Sequence, residues 1–133
     1  MKLTREQAIK EHRKMWNWLA EHPEKCKEDY FEVYHEKFDY MSNGCFLCEY
    51  SRQNSDYYCL EGCLCDWGET NNCTGSSKRM GLYELYIDLK NDLYCIDKNS
   101  VWSEDIINGL RLIISRTARA IAKLPENKVG GEE

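Results

Sequence analysis

No run of apolar residues in this 133-residue chain approaches the roughly 20 needed to cross a bilayer. The opening stretch, MKLTREQAIKEHRKMW, is charged throughout and lacks the apolar centre of an export signal. The expected compartment is therefore the reducing cytoplasm, where thiols stay free or bind metal. Also missing are alternating strand and helix patterns, a phosphate-cradling glycine loop, a nucleophile elbow and an H-E-x-x-H pair. Positive charge is scarce where it would matter most. The formal net charge is −5, and the segment from Cys45 to Ser77 carries Arg52 alone against Glu49, Asp56, Glu61, Asp66 and Glu69. A module that grips phosphates shows the opposite bias. Four thiolates on one Zn²⁺ would add two further negative charges, so the segment is a poor DNA-reading finger.

What the chain does have is eight cysteines. Six fall in one segment: Cys45, Cys48, Cys59, Cys63, Cys65 and Cys73. Tetrahedral zinc takes four soft ligands from two short pieces of chain. Cys45-x2-Cys48, just after Asn43-Gly44, supplies one pair on a tight knuckle. Cys59 and Cys63 stand four apart, which on a helical turn puts both thiols on one side. The expected cofactor is thus a structural zinc held by Cys45, Cys48, Cys59 and Cys63, with Cys73 or Cys65 as alternates. Few large aliphatic side chains lie between residues 48 and 75, so metal binding would supply much of that segment's folding energy. Cys26 and Cys95 fall on expected helices and read as small buried hydrophobes.

Three other readings of the thiols compete. A disulfide framework needs an oxidising compartment. A redox C-x-x-C ordinarily follows a strand in a βαβ unit. His22-Pro23-Glu24 followed by Cys45-x-x-Cys48 matches part of the zinc deaminase pattern. There, however, Gly44 occupies a proline position, Pro23 fills a small-residue position, and Cys59 and Cys63 go unused. His12, His22 and His35 lie on different turns and read as core-edge or exposed side chains.

Helical signals dominate elsewhere. Thr4 and Gln7 form a capping-box pattern, followed by Ala8, His12, Met15, Trp16 and Leu19 at helical spacing. Pro23 ends this helix near His22 and suits the first turn of a second, with Glu24, Glu28 and Asp29 near its start. Cys26, Tyr30, Val33, Tyr34, Phe38 and Met41 mark its face, and Ser42-Asn43-Gly44 stops it. Residues 45–75 show no sustained periodicity and read as a compact loop. Ser76 or Ser77 can cap a third helix bearing Leu82, Leu85, Tyr86, Leu89 and Leu93. A turn at 97–100 precedes a fourth, capped by Ser103, with Ile106, Leu110, Ile113, Ile114, Ile121 and Leu124 on one arc. Arg111, Ser115, Arg116, Arg119 and Lys123 occupy the opposite arc.

The expectation is a mainly α fold: about four helices with a zinc-binding cysteine loop inserted between helices 2 and 3. A single domain spans 1–126, with the zinc loop at 45–75 and a flexible tail at 127–133. Trp16 and Trp18 are about 200° apart on a helix, so Trp18 reads as a wall against the loop or as a partner contact. Arg111, Arg116, Arg119 and Lys123 form a basic face for a partner, nucleic acid included, weighed against an ordinary solvated surface.

The segments HRKMWNWLAEHPEK, DYF, CFLCEY, CDWG, GLYELY and AIAKLPE occur in that order. As a set they resemble a group of small cysteine-containing proteins encoded by phages and prophages of Gram-positive bacteria. That group usually carries C-x2-C-P as its second pair, where this chain has Cys59-x3-Cys63, then Leu64 and Cys65. The resemblance implies a phage origin and no established enzymatic activity. The expected role is a non-enzymatic binding module acting on a protein of the bacterial host, such as a defence component. A homodimer is compatible with the tyrosine-rich helix faces, and a membrane partner is not expected.

Overall fold

The computed structural model describes residues 3–34, 45–54, 64, 65, 67, 81–96, 101 and 103–126. Among them are five helices: α1 (Arg5–Glu21), α2 (Lys27–Val33), α3 (Phe46–Asn54), α4 (Leu82–Cys95) and α5 (Ser103–Ala122). Among these residues the sole β pairing is an isolated antiparallel bridge between Cys65 and Glu126. No described helix is long and apolar enough to cross a membrane. The mainly α expectation holds, but its helix count and the loop's starting point need correcting. Helix α3 begins directly after Cys45, inside the stretch expected to be loop.

The capping box of α1 forms as its residues require. Gln7 N–H donates to Thr4 Oγ1 at 3.1 Å, and Thr4 N–H donates to Gln7 Oε1 at 3.0 Å. The buried face of α1 is wider than an amphipathic stripe: Ala8, Ile9, Glu11, His12, Met15, Trp16, Leu19 and Ala20 are all buried. The width follows from its neighbours, since α1 packs on α5, α3 and α2, while α4 packs on α5. Pro23 and Glu24 form a turn rather than opening α2. Cys26 takes the N-cap position instead, its N–H donating to Asp29 Oδ2 at 2.8 Å. Within α2, Tyr30 is buried but Val33, expected on the same face, is 62% exposed. Phe38, Met41 and the expected end of this helix lie outside the described residues.

Aromatic side chains fill the space between elements. Trp16 meets Tyr86 edge-on at 4.8 Å and Tyr83 at 6.0 Å, linking α1 to α4. Tyr30 lies edge-on to Trp18 at 5.4 Å, and Phe31 packs on Phe46 at 5.6 Å, linking α2 to α3. The Lys27 ammonium sits over the Tyr83 ring at 4.4 Å. Lys90 of α4 donates to the carbonyls of Pro23 and Lys25 at 2.7 and 2.5 Å, holding the α1–α2 turn against α4.

Helix α4 starts at Leu82 with Gly81 at its N-cap, not from a cap at Ser76 or Ser77. The expected arc on α5 holds in part: Ile114 and Ile121 are fully buried, and Leu110 and Leu124 pack on the core. Ile114, Thr117, Ala118, Ile121 and Ala122 are buried, whereas Ile106 and Ile113 remain 50% and 47% exposed. Beside Ile114 and Ile121, the small side chains of Thr117, Ala118 and Ala122 allow a close approach between helices. Gly109 lies within α5 with open space where a Cβ would stand. Glycine costs a helix interior about 1 kcal/mol relative to alanine, and no packing within the monomer requires it here.

The α1–α5 contact includes a buried imidazole. His12 is 1% exposed, with Nε2–H donating to the Ile121 carbonyl at 3.3 Å and Trp67 edge-on at 6.4 Å. Burial lowers its pKa from 6.5 to about 4, partly opposed by that hydrogen bond. The folded-state value lies below the unfolded one, so the unfolded chain takes up this proton first. Stability is accordingly full above about pH 6.5 and declines as pH falls toward 4, by roughly 3 kcal/mol at most. Urea denaturation across that window is expected to show the decline. The slope should flatten in His12→Gln, whose amide can still donate to Ile121.

Candidate metal centre

Cys45 precedes α3 and occupies its N-cap position, its carbonyl accepting the first helical bond from Glu49 N–H at 2.9 Å. Serine or aspartate usually stands there, offering an oxygen to the free amides of the first turn. In this helix sulfur does so: Cys48 N–H donates to Cys45 Sγ at 3.4 Å. The Leu47 amide and the Cys48 thiol also favour the Cys45 thiolate, and Lys27 adds a nearby positive charge. The Cys48 thiol contributes most. Together these effects outweigh the opposing cost of burial and bring the Cys45 pKa from 9.0 down to about 6. A helix start that stabilises thiolate supplies the species that zinc coordinates. The C-x2-C half of the expected site therefore fits a soft metal in both spacing and protonation.

Cys59, Cys63 and the alternate Cys73 lie outside the described residues. The alternate Cys65 is buried in the core and paired in register with Glu126. Among the described residues, no three His, Cys, Asp or Glu side chains are grouped to hold a metal. Cys65 is thus not brought into a ligand group with Cys45 and Cys48, and neither is His22. The His22 ring is held elsewhere, donating from Nδ1 to the Trp18 carbonyl at 2.8 Å and stacking on the Trp18 ring at 4.3 Å.

The two remaining cysteines correct their expected role. Cys95, at the end of α4, is exposed, and Cys26 is half-buried at a helix cap, its Sγ–H donating to Asp29 Oδ2 at 3.2 Å. Burial pushes the Cys26 thiol up, opposite to Cys45. Among the residues expected to meet a partner, Trp18 is half-buried between His22 and Tyr30. Arg111, Arg116 and Arg119 on α5, and Lys123 just past its end, are all exposed.

A buried carboxylate beside the thiol pair was not singled out from the sequence. Glu49 is 0% exposed; it accepts from Arg52 and from Gln53 Nε2 at 3.0 Å. The Gln53 carbonyl in turn accepts the Leu3 N–H at 2.6 Å. This chain of bonds fixes α3 to the residues preceding α1. Its signal was present in CEYSRQ, where Glu, Arg and Gln stand at the i, i+3 and i+4 positions of a helix.

Compared with models of known families, with characterised proteins and with solved structures, the chain shows no significant match.

In reduced, metal-free protein, thiolate ultraviolet absorbance is expected to rise with a midpoint near pH 6, reporting the pair. Because the folded value is lowered, the stabilisation is complete above the unfolded thiol pKa of 9.0 and disappears as pH falls through about 6. Cys48→Ala removes the principal donor and should move the midpoint back toward 9.0.

Proposed function

We propose that this protein is a non-enzymatic, zinc-stabilised helical binding module that acts by contacting another protein. The observation that carries this reading is the Cys45–Cys48 pair at the start of α3, where two backbone amides and the neighbouring thiol favour thiolate. Cys45 and Cys48 would supply two of four zinc ligands, and Cys59 and Cys63 the others. A site closed by four thiolates leaves no position for substrate, so its contribution is shape. Through Cys59 and Cys63 it would join the later part of the 45–75 segment to α3, which Glu49 and Gln53 already hold to the rest of the domain. The resemblance to small proteins of phages and prophages suggests the setting. A host protein, including one that serves in defence, would be the partner, bound and inhibited or regulated in the cytoplasm.

A nucleic-acid-binding regulator is the second reading, favoured by the exposure of Arg111, Arg116, Arg119 and Lys123. The formal net charge of −5 opposes it.

Native mass spectrometry separates the outcomes for the metal. One zinc per chain, lost in Cys48→Ser and kept in Cys65→Ser, is the expected result. A metal-free chain lighter by two hydrogens per cysteine pair would replace the zinc reading with a disulfide framework. For the partner, a host protein is expected to co-purify in a stoichiometric complex that withstands moderate salt. Binding to single- or double-stranded nucleic acid that falls steeply with salt, and is lost in Arg116→Glu/Arg119→Glu, would establish the second reading instead.

A further inference from the structure

Helix α5 leaves uncovered a stripe that its contacts with α1 and α4 do not explain. Asp105, Gly109, Leu112 and Arg116 follow one another at intervals of four, three and four residues, which keeps them on one line along the helix. All four are exposed. Ile106 and Ile113 run beside that line, and Ile106, Leu112 and Ile113 expose 50%, 52% and 47% of their surface. Three aliphatic side chains half in water beside one another are an unfinished contact. Gly109 interrupts the line with a vacancy, having nothing within 4 Å of where its Cβ would be. Asp105 and Arg116 bound the line with opposite charges, and neither has an ion-pair partner among the described residues.

We propose that α5 packs antiparallel against α5 of a second copy of this chain, about a twofold axis passing between Gly109 and Leu112. The stripe is its own complement under that operation. Reversing it places Leu112 of each copy against Gly109 of the other, so the one aliphatic side chain on the line enters the vacancy. It also places Asp105 against Arg116 at both ends, giving two equivalent ion pairs. The Ile106 and Ile113 side chains of the two copies then lie alongside one another. A parallel pairing does none of this: it sets Asp105 against Asp105 and leaves the vacancy unfilled. An unrelated protein would need a matching stripe of its own, whereas a second copy already carries one. The contact needs no residue outside the described part of α5 and does not depend on zinc.

One helix face from each copy makes a small interface, toward the end of the range below about 1,200 Å² in total where association is reversible. Sedimentation velocity on the full chain over a wide concentration series is therefore the readout. The wild type is expected to pass from monomer to dimer as concentration rises. Asp105→Arg and Arg116→Asp each set like charges opposite one another twice per dimer and should weaken association at least about tenfold. The double variant Asp105→Arg/Arg116→Asp restores opposite charges and should return to within about threefold of the wild type. Gly109→Leu fills the vacancy and should abolish the dimer while circular dichroism shows the helices intact. A wild type that stays monomeric throughout, a dimer indifferent to either single reversal, or a double variant as weak as the singles would each overturn the proposal.

Discussion

Burying α1 on several sides is the constraint from which the remaining architecture follows. A helix with one narrow apolar stripe needs one neighbour, but α1 buries eight side chains around about half its circumference and is covered by α5, α3 and α2. Polar side chains on that buried face cannot reach water. Accordingly, His12 is placed where a carbonyl of α5 accepts a hydrogen bond from its ring N–H, and Arg13 donates to the Leu124 carbonyl at 3.1 Å, just past the end of α5. Trp16 fills the remaining volume toward α4 with edge-on contacts to two tyrosines. The aromatic content that stands out in the sequence is thus spent on joining helices of unequal length, where aliphatic ridges alone would leave gaps.

Local chemistry was the part of this structure most legible in the sequence. Thr4 and Gln7 are three residues apart and complete their capping box without help from the rest of the chain. The arrest of α1 near Pro23 is equally local. What escaped was set by contacts between elements. Periodicity placed Ile106 and Ile113 in the core because they are large and apolar. The observed stripe runs through Thr117, Ala118 and Ala122, whose small size only acquires meaning once α1 lies against them. Val33 and Cys95 were misplaced for the same reason, since a helical register does not say which helices arrive to cover it. Helix α3 escaped because it is nine residues long and because its N-cap is a cysteine, a residue more readily assigned to metal than to capping.

The thiol pair illustrates the same division at the level of the site. Its spacing was visible as C-x2-C, and that spacing alone suits zinc, disulfide and redox chemistry alike. The acidity of Cys45 depends on amides of Leu47 and Cys48, on the Cys48 thiol and on Lys27 from another helix, so it emerges only when α3 and α2 are assembled. Buried Glu49 accepts from Arg52 and Gln53 of its own helix. Through Gln53 and Leu3 that bonding ties α3 to the residues before α1. Two thiols on a fixed helix start would lose little freedom on meeting a metal.

The hydrogen bond from His12 to Ile121 spans 109 residues of chain, and that separation bears on how the protein is made. On the ribosome α1 emerges first and α5 last among these helices. Helices α2 and α3 can pack on α1 as they emerge, but the part of its buried face that α5 covers stays open until the end of synthesis. High contact order of this kind slows folding relative to bundles closed by adjacent helices, and it leaves an interval in which the emerging chain is a substrate for chaperones. The domain closes only when its last long helix returns to its first.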